Sequence, residues 1–390
     1  MPTEETLEIE KLVYGGEGLA RLDGKVILAP FVLPGEKVRA DVDRVKNDLF
    51  RGRLLEVIAP AAARVEPSCP YFGRCGGCQY QHIEYNEQLE QKRSILREVL
   101  RRVGKIELDR EIELIAGEPW QYRNRIQLHV RDGSVGYFEH GSQKLCAIDH
   151  CPIASPALND AIAKLAASRP RTDNTVELFT NESGIQVNLA DHAPRAEFEK
   201  FAALGITGAI EYDGFQVSRG SFFQVNRFLI DRLVECAIGE STGGSAIDLY
   251  AGVGLFAIRL AARFRKVIAV ESGWSAFRDL EHNVSRSAVP VTPINAAVEN
   301  YLAALAETPE LILADPPRAG LGKQSVRELV RIRSPRLVIV SCDPATLARD
   351  LQGLLGAGYR IDTITLIDLF PQTFHLETVV QLSAPAETRE

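Results

Sequence analysis

The chain has 390 residues, a formal net charge of −7, and hydrophobic and charged fractions of 45% and 25%; this ordinary globular composition excludes a mainly disordered, collagen-like or supercharged protein. At roughly 150 residues per domain the length predicts two or three domains. No stretch approaches the ~18 apolar residues of a membrane span, and the acidic start MPTEETLEIEK has no apolar signal region, so a cytoplasmic protein without membrane contact is expected.

Residues 7–58 alternate short apolar runs with turn signals at Gly15-Gly16, Asp23-Gly24 and Pro34-Gly35, which predicts a small barrel of about five strands. Barrels of this kind often bind nucleic acid through a strand face and loops. A Pro/Ala-rich linker, Ala59 to Pro67, leads into Cys69, Cys75 and Cys78. Over residues 83–103, Leu89, Ile95, Leu96, Val99 and Leu100 fall near helical spacing with arginines opposite, predicting one amphipathic helix with a basic end. From Ile112 to about Val217 the pattern is strand-like and turn-rich, with a helix expected at Pro156–Ala167, as in an α+β module.

After Gly220 the runs AIDLY, KVIAVE, LILADPP and LVIVSC each read as a buried parallel strand followed by helical sequence. That is a doubly wound, Rossmann-like α/β domain. Its last stretch, YRIDTITLIDLFPQTFHLETVVQLS, reads as two long antiparallel strands around a loop containing Pro371. The division expected is a barrel at 1–60, a central module at 61–217, with its helix near 83–103 able to pack on the catalytic domain, and a catalytic α/β domain at 218–390. No coiled-coil or other assembly signal stands out, so a monomer is the default.

In Asp248-Leu249-Tyr250-Ala251-Gly252-Val253-Gly254, two glycines occupy the turn after a strand, where backbone approaches a ligand closely. Glu271 ends the next strand about 20 residues on, placed for a ribose. Without a third glycine or a phosphate-binding lysine, the pair fits S-adenosylmethionine better than NAD or ATP. Asp315-Pro316-Pro317-Arg318 follows another strand, its prolines stiffening a substrate loop. Amino-group methyltransferases usually carry an aromatic residue after Asp-Pro-Pro, and Arg318 departs from that.

Cys342 ends the run LVIVS, at the mouth of the same crevice, a nucleophile if its pKa is lowered. Glu377, in His375-Leu376-Glu377-Thr378, is a candidate proton acceptor, and on a strand His375 would share its face. A thiol, a methyl donor and a carboxylate base together define one chemistry. Pyrimidine C5 becomes nucleophilic only after a thiolate adds at C6, and a base must then remove the C5 proton so that the thiol can leave.

Cys69, Cys75 and Cys78 form Cys-x5-Cys-x2-Cys, a metal-type spacing that lacks a fourth ligand. Cys151 is the leading candidate and Cys146 the second; spacing alone leaves zinc open. Cys236, in the helical run DRLVECAIG, reads as a packed core thiol.

Taken together these motifs resemble the RNA uracil-C5 methyltransferases, specifically the cluster-containing type acting on 23S ribosomal RNA. The likeness spans nearly the whole chain: a TRAM-like barrel, the cysteine series with a distant Cys-Pro, Phe-Phe-Gln-Val-Asn, Asp-Leu-Tyr-x-Gly-x-Gly, Asp-Pro-Pro-Arg-Ala-Gly, Ser-Cys-Asp-Pro and His-x-Glu-Thr-Val-Val. The resemblance implies that Cys69, Cys75, Cys78 and Cys151 ligate a [4Fe-4S] cluster. It implies S-adenosylmethionine contacts at Gln224, Tyr250, Glu271 and Asp315, besides Gly252 and Gly254 of the turn. It also implies Cys342 as nucleophile and Glu377 as base.

Leu255 and Ala297 depart from the family pattern, which implies weaker cofactor contacts. For an RNA partner whose target uridine is flipped into the crevice, Arg97, Arg101, Arg102, Arg123 and Arg125 are the candidate phosphate binders and Phe222 a candidate stacking residue. The alternatives are a transfer RNA enzyme of the same chemistry and a noncatalytic iron–sulfur RNA-binding protein acting in assembly or redox sensing. RNA cytosine-C5 methylation is disfavoured, because the Asp-Pro-Pro-Arg loop has no cysteine.

Overall fold

The computed structural model describes residues 3–46, 49–170, 173–189, 205, 208–287 and 290–385. Strands β1 (Thr3–Val13), β2 (Glu17–Leu22), β3 (Lys25–Pro30), β4 (Lys37–Lys46) and β5 (Leu49–Ala59) close into a barrel in the order β1-β2-β3-β5-β4. Its turns fall where the sequence signals them, with positive φ at Gly15, Gly16, Asp23 and Gly24. Strand alternation buries Leu7, Ile9, Ile27, Val38 and Ala40 in the barrel's own core.

Helix α1 (Tyr85–Gly104) turns Leu89, Ile95, Leu96 and Leu100 inward. On the same stripe Lys92 is fully buried: its Nζ lies 2.6 Å from Asp368 Oδ1 and donates to the Phe370 carbonyl at 2.9 Å. After β6 (Glu113–Ile115), strands β7 (Arg125–Arg131), β8 (Ser134–Phe138), β9 (Leu145–Ala147), β10 (Asn174–Thr180) and β11 (Ile185–Leu189) form a sheet in the order β11-β10-β7-β8-β9. Helix α2 (Pro156–Ser168), at the expected place, starts with a proline in its first turn and packs Leu158, Ile162 and Leu165 with buried residues of this sheet. A small hairpin, β12 (Ile210–Tyr212) and β13 (Phe215–Val217), follows.

The remaining chain runs through α3 (Ile230–Ile238), β14 (Gly243–Leu249), α4 (Leu255–Ala261), β15 (Phe264–Glu271), α5 (Trp274–Ser287), β16 (Val291–Asn295), α6 (Val298–Ala304) and β17 (Leu311–Ala314). Then come α7 (Gly322–Ile332), β18 (Arg336–Ser341), α8 (Pro344–Gly356), β19 (Arg360–Ile367) and β20 (Glu377–Ser383). These strands and β6 form one eight-stranded sheet, ordered β16-β15-β14-β17-β18-β20-β19-β6. Strands β14 to β18 pair in parallel, and the expected terminal hairpin β19–β20 joins antiparallel to β18.

The sheet takes two members the sequence reading did not assign. β16, VTPIN, is an edge strand interrupted by Pro293, and β6 is three residues long and pairs parallel to β19. With α1 packed beside α8 in the principal core, the segment around residues 85–115 lies on the large sheet rather than on the five-stranded one. Among the described residues no helix is long and apolar enough to cross a membrane.

Candidate active site

Parallel strands deliver their C-terminal ends to one edge of the sheet, where the connecting loops form a crevice. At that edge β14 leads into the glycine turn, β15 ends in Glu271, and Asp315 and Cys342 directly follow β17 and β18. Because β20 runs antiparallel to β18, its first residues also lie there: Ser341 pairs with Thr378, placing Cys342 next to Glu377. The long sequence interval between thiol and carboxylate is the length of α8, β19 and the loop that brings β20 back.

Tyr250, Gly252 and Gly254 all have positive φ, at 62°, 55° and 99°. Nothing lies within 4 Å of where a Cβ on Gly252 would point, so the turn leaves open space, whereas one on Gly254 would meet Leu280 Cδ1 at 2.8 Å. The first glycine clears room for a ligand and the second lets the turn pack on α5. Glu271 pins this turn, accepting from the Gly252 N–H at 2.9 Å and from the Gly273 N–H. Leu255 is a buried core residue, and Ala297 stands at the N-cap of α6 with no side-chain capping bond.

Asp248 is fully buried and neither carboxylate oxygen has a hydrogen-bond partner among the described residues. Burial, then the Asp315 and Glu271 charges, push its pKa well up. Asp315 is pushed up to about 7 by burial; Gln224 Nε2 lies 3.4 Å from its Oδ2. Gln224 is positioned in turn by Asn124, whose side chain donates to the Gln224 carbonyl at 3.0 Å, while Asn226 donates to the Leu369 carbonyl at 3.1 Å. The Phe-Phe-Gln-Val-Asn segment thus links the five-stranded sheet to the loop before β20.

Burial, followed by the charges of Glu377 and Asp315, pushes the Cys342 thiol up to about 11, while the Arg318 guanidinium works the other way. The thiol of the free chain is therefore protonated, contrary to the lowered pKa that sequence reasoning attached to a nucleophile here. Glu377 is buried, and burial with the Asp315 charge raises its pKa well above the carboxylate range. His375 lies in the loop before β20, so strand alternation does not place it with Glu377. Burial and then Arg318, Arg123 and Lys92 lower its pKa to about 4, leaving a neutral imidazole.

Cys69, Cys75, Cys78 and Cys151 line a second cavity, of about 480 Å³ including its open mouth. Cys146 does not line it; that thiol is buried and accepts from Arg74 Nε at 3.2 Å. A tight turn holds the first cysteines, with Cys75 N donating to the Tyr71 carbonyl at 2.8 Å and Gly77 N lying 3.4 Å from Cys75 Sγ. Burial pushes Cys75 up to about 12 and raises Cys69, Cys78 and Cys151 too. Among the described residues no three His, Cys, Asp or Glu side chains converge closely enough for a single metal ion.

Two expected phosphate contacts are redirected. Arg123 turns inward to line the cysteine cavity, and Arg125 is buried, paired with Glu177 at 3.1 Å and stacked 4.4 Å over the Phe179 ring. Of the helix arginines, Arg97 donates to the Leu108 and Arg110 carbonyls and Arg102 to Glu98, while Arg101 is exposed. Phe222 remains exposed, beside the buried Phe223. Arginine count on a helix face does not show which guanidinium a neighbouring acid or carbonyl occupies.

Residues 209–385 match the family model described as tRNA (Uracil-5-)-methyltransferase, and residues 3–55 match the TRAM domain. An uncharacterized RNA methyltransferase from Aquifex aeolicus is 31% identical, covering 96% of this chain and 97% of its own. The 23S rRNA (uracil(1939)-C(5))-methyltransferase RlmD of Halomonas elongata is 32% identical, covering 98% and 90%. The crystal structure of the tRNA (uracil-54, C5)-methyltransferase of Pyrococcus abyssi, in complex with S-adenosyl-L-homocysteine, superposes with a TM-score of 0.74 at 25% identity, covering 98% of this chain and 100% of that one. A barrel, a glycine-turn crevice and a facing thiol and carboxylate are thus found in a sequence whose full-length relatives methylate RNA, and the chain belongs to the RNA uracil-C5 methyltransferase family.

Proposed function

We propose that this protein methylates C5 of a uridine in 23S ribosomal RNA, with Cys342 as nucleophile and Glu377 as base. The observation that carries the reading is the apposition of these two side chains at the edge where β18 and β20 meet, inside the crevice opened by the glycine turn. Full-length relatives named for 23S rRNA favour that RNA over transfer RNA.

The crevice suits S-adenosylmethionine in shape: the Gly252 turn is open, and Glu271 stands beside it, accepting from the Gly252 N–H. Gln224, Tyr250, Gly252, Gly254, Glu271 and Asp315 would hold it. When bound, it supplies an electrophilic methyl group. As substrate loads, the Cys342 thiol would release its proton to solvent and add as thiolate to uracil C6; C5 would then take the methyl as the donor's thioether departs, Glu377 in its carboxylate form would accept the C5 proton, and the thiolate would be expelled. Burial that raises the Glu377 pKa also makes its carboxylate a stronger base. Leu255 and Ala297 offer no polar contact on the adenine side, which predicts weaker cofactor affinity than in relatives with polar groups there.

Cys69, Cys75, Cys78 and Cys151 would hold a [4Fe-4S] cluster. The four line one cavity, and three of them stand in the Cys-x5-Cys-x2-Cys spacing that iron–sulfur centres use. On this reading the chain has an RNA-gripping barrel at 1–60, a cluster-bearing module at 61–217 that lends residues 85–115 to the large sheet, and a catalytic domain at 218–390, with Phe222 exposed to stack a base.

The test is incubation of anaerobically purified protein with labelled S-adenosylmethionine and unmodified 23S or transfer RNA, then nucleoside analysis. Label in 5-methyluridine from 23S RNA supports the reading. Label confined to transfer RNA refutes the substrate, and 5-methylcytidine refutes the base.

A further inference from the structure

Tyr14 carries the barrel to the catalytic crevice. Tyr14 sits in the β1–β2 turn beside Gly15 and Gly16, and its hydroxyl lies 3.4 Å from Asp343 Oδ2. Asp343 follows Cys342 in sequence, and its Oδ1 caps α8 by accepting from the Ala345 and Thr346 N–H groups at 3.0 and 2.9 Å. The Tyr14 ring meets Phe374 edge to face at 5.5 Å, and Phe374 lies 4.3 Å from the His375 ring in the loop leading to Glu377.

The turn is built to press there. A Cβ on Gly16 would stand 2.9 Å from Gln79 and 3.4 Å from Phe374, so only glycine allows the approach. The barrel is fastened on the same side by the Lys11–Glu98 ion pair and by Leu12 and Leu33, which enter the principal core rather than the barrel's own. Burial, Asp343 and Cys342 raise the Tyr14 pKa, so the hydroxyl stays a donor throughout the neutral range.

We propose that Tyr14 is a positioning residue for the nucleophile, acting through Asp343 to fix the loop that carries Cys342. The proposal rests on Cys342 being the nucleophile. At 3.4 Å the contact is longer than a formed O–H···O bond, and polar contacts at reacting sites often tighten only when substrate is loaded. RNA that grips the barrel and enters the crevice draws the turn onto Asp343, so the barrel forms one wall of the active site as well as a handle for RNA.

The experiment compares full-length wild type, Y14F, D343S, Y14F/D343S and C342A in single-turnover methyl transfer to 23S RNA, with RNA KM and melting temperature measured alongside. Serine at 343 can still cap α8 but is too short to reach Tyr14. Expected is a roughly tenfold slower transfer in Y14F, the scale of one hydrogen bond to a charged group, with KM and melting temperature unchanged. In the D343S background Y14F should then add nothing. A wild-type rate for Y14F, a change in KM alone, or additive losses in the double variant would each overturn the proposal. Full product from C342A would refute the underlying nucleophile assignment, whatever Y14F does.

Discussion

Two thiol sites in this molecule share a burial environment and differ in company. Around Cys342 the neighbours are carboxyl groups, Glu377 and Asp315, with Arg318 opposing them. In the second cavity Cys69, Cys75, Cys78 and Cys151 face one another and the inward-turned Arg123. Burial raises the pKa in both places, yet the consequences diverge. The lone thiol beside carboxyl groups is the one we propose as nucleophile, ionising only when substrate loads. The four raised thiols around one space are the ligand set we propose, since coordination would remove their protons outright and supply the charge that burial withholds. The pKa direction alone separates neither role; the arrangement of partners does.

Substitution should separate the sites most sharply. Cys342→Ala is expected to cut methyl transfer by about 10⁴-fold or more while leaving the iron content at about four per chain. Cys78→Ser should do the reverse, losing iron and lowering the melting temperature; iron loss from Cys342→Ala would erase the distinction. Glu377→Gln should slow turnover by about 10²–10⁴-fold. Protein should then accumulate covalently attached to methylated RNA, visible as a band shift on denaturing gels.

A smaller effect tests the frame between the sites. Lys92→Met leaves Asp368 buried without its cation and should destabilise the fold by about 3–5 kcal/mol in denaturant unfolding, loosening the loop before Glu377. The mildest test is pH. With the Cys342 thiol near 11, its thiolate fraction grows as pH rises toward that value. Alkylation at Cys342 by iodoacetamide should therefore climb roughly tenfold per pH unit between about 7 and 10, and a plateau below about pH 9 would mean an ordinary thiol.

Much of this was legible in the sequence, and particular residues show why. LILA and LVIVS read as parallel strands because both their faces are buried, and the barrel turns read because Gly15-Gly16 and Asp23-Gly24 mark positive φ. The hairpin that returns Glu377 to Cys342 followed from two strand patterns around Pro371. Short edge elements did not read: β6 has too few residues for a pattern, and Pro293 disguises β16. Lys92 carried a signal that was passed over, a lysine within the apolar stripe of Leu89, Leu96 and Leu100. Tyr14 carried none, since its partner Asp343 is distant in sequence and the barrel's docking is a tertiary fact.

Covalent activation of a uridine by Cys342 can be trapped with target RNA carrying 5-fluorouridine. Fluorine at C5 cannot be removed by Glu377, so the thiolate cannot leave. With S-adenosylmethionine present, the chemistry predicts a protein–RNA adduct that survives denaturation and maps by mass spectrometry to Cys342. Release of methylated RNA with no adduct, or an adduct at another residue, would contradict it.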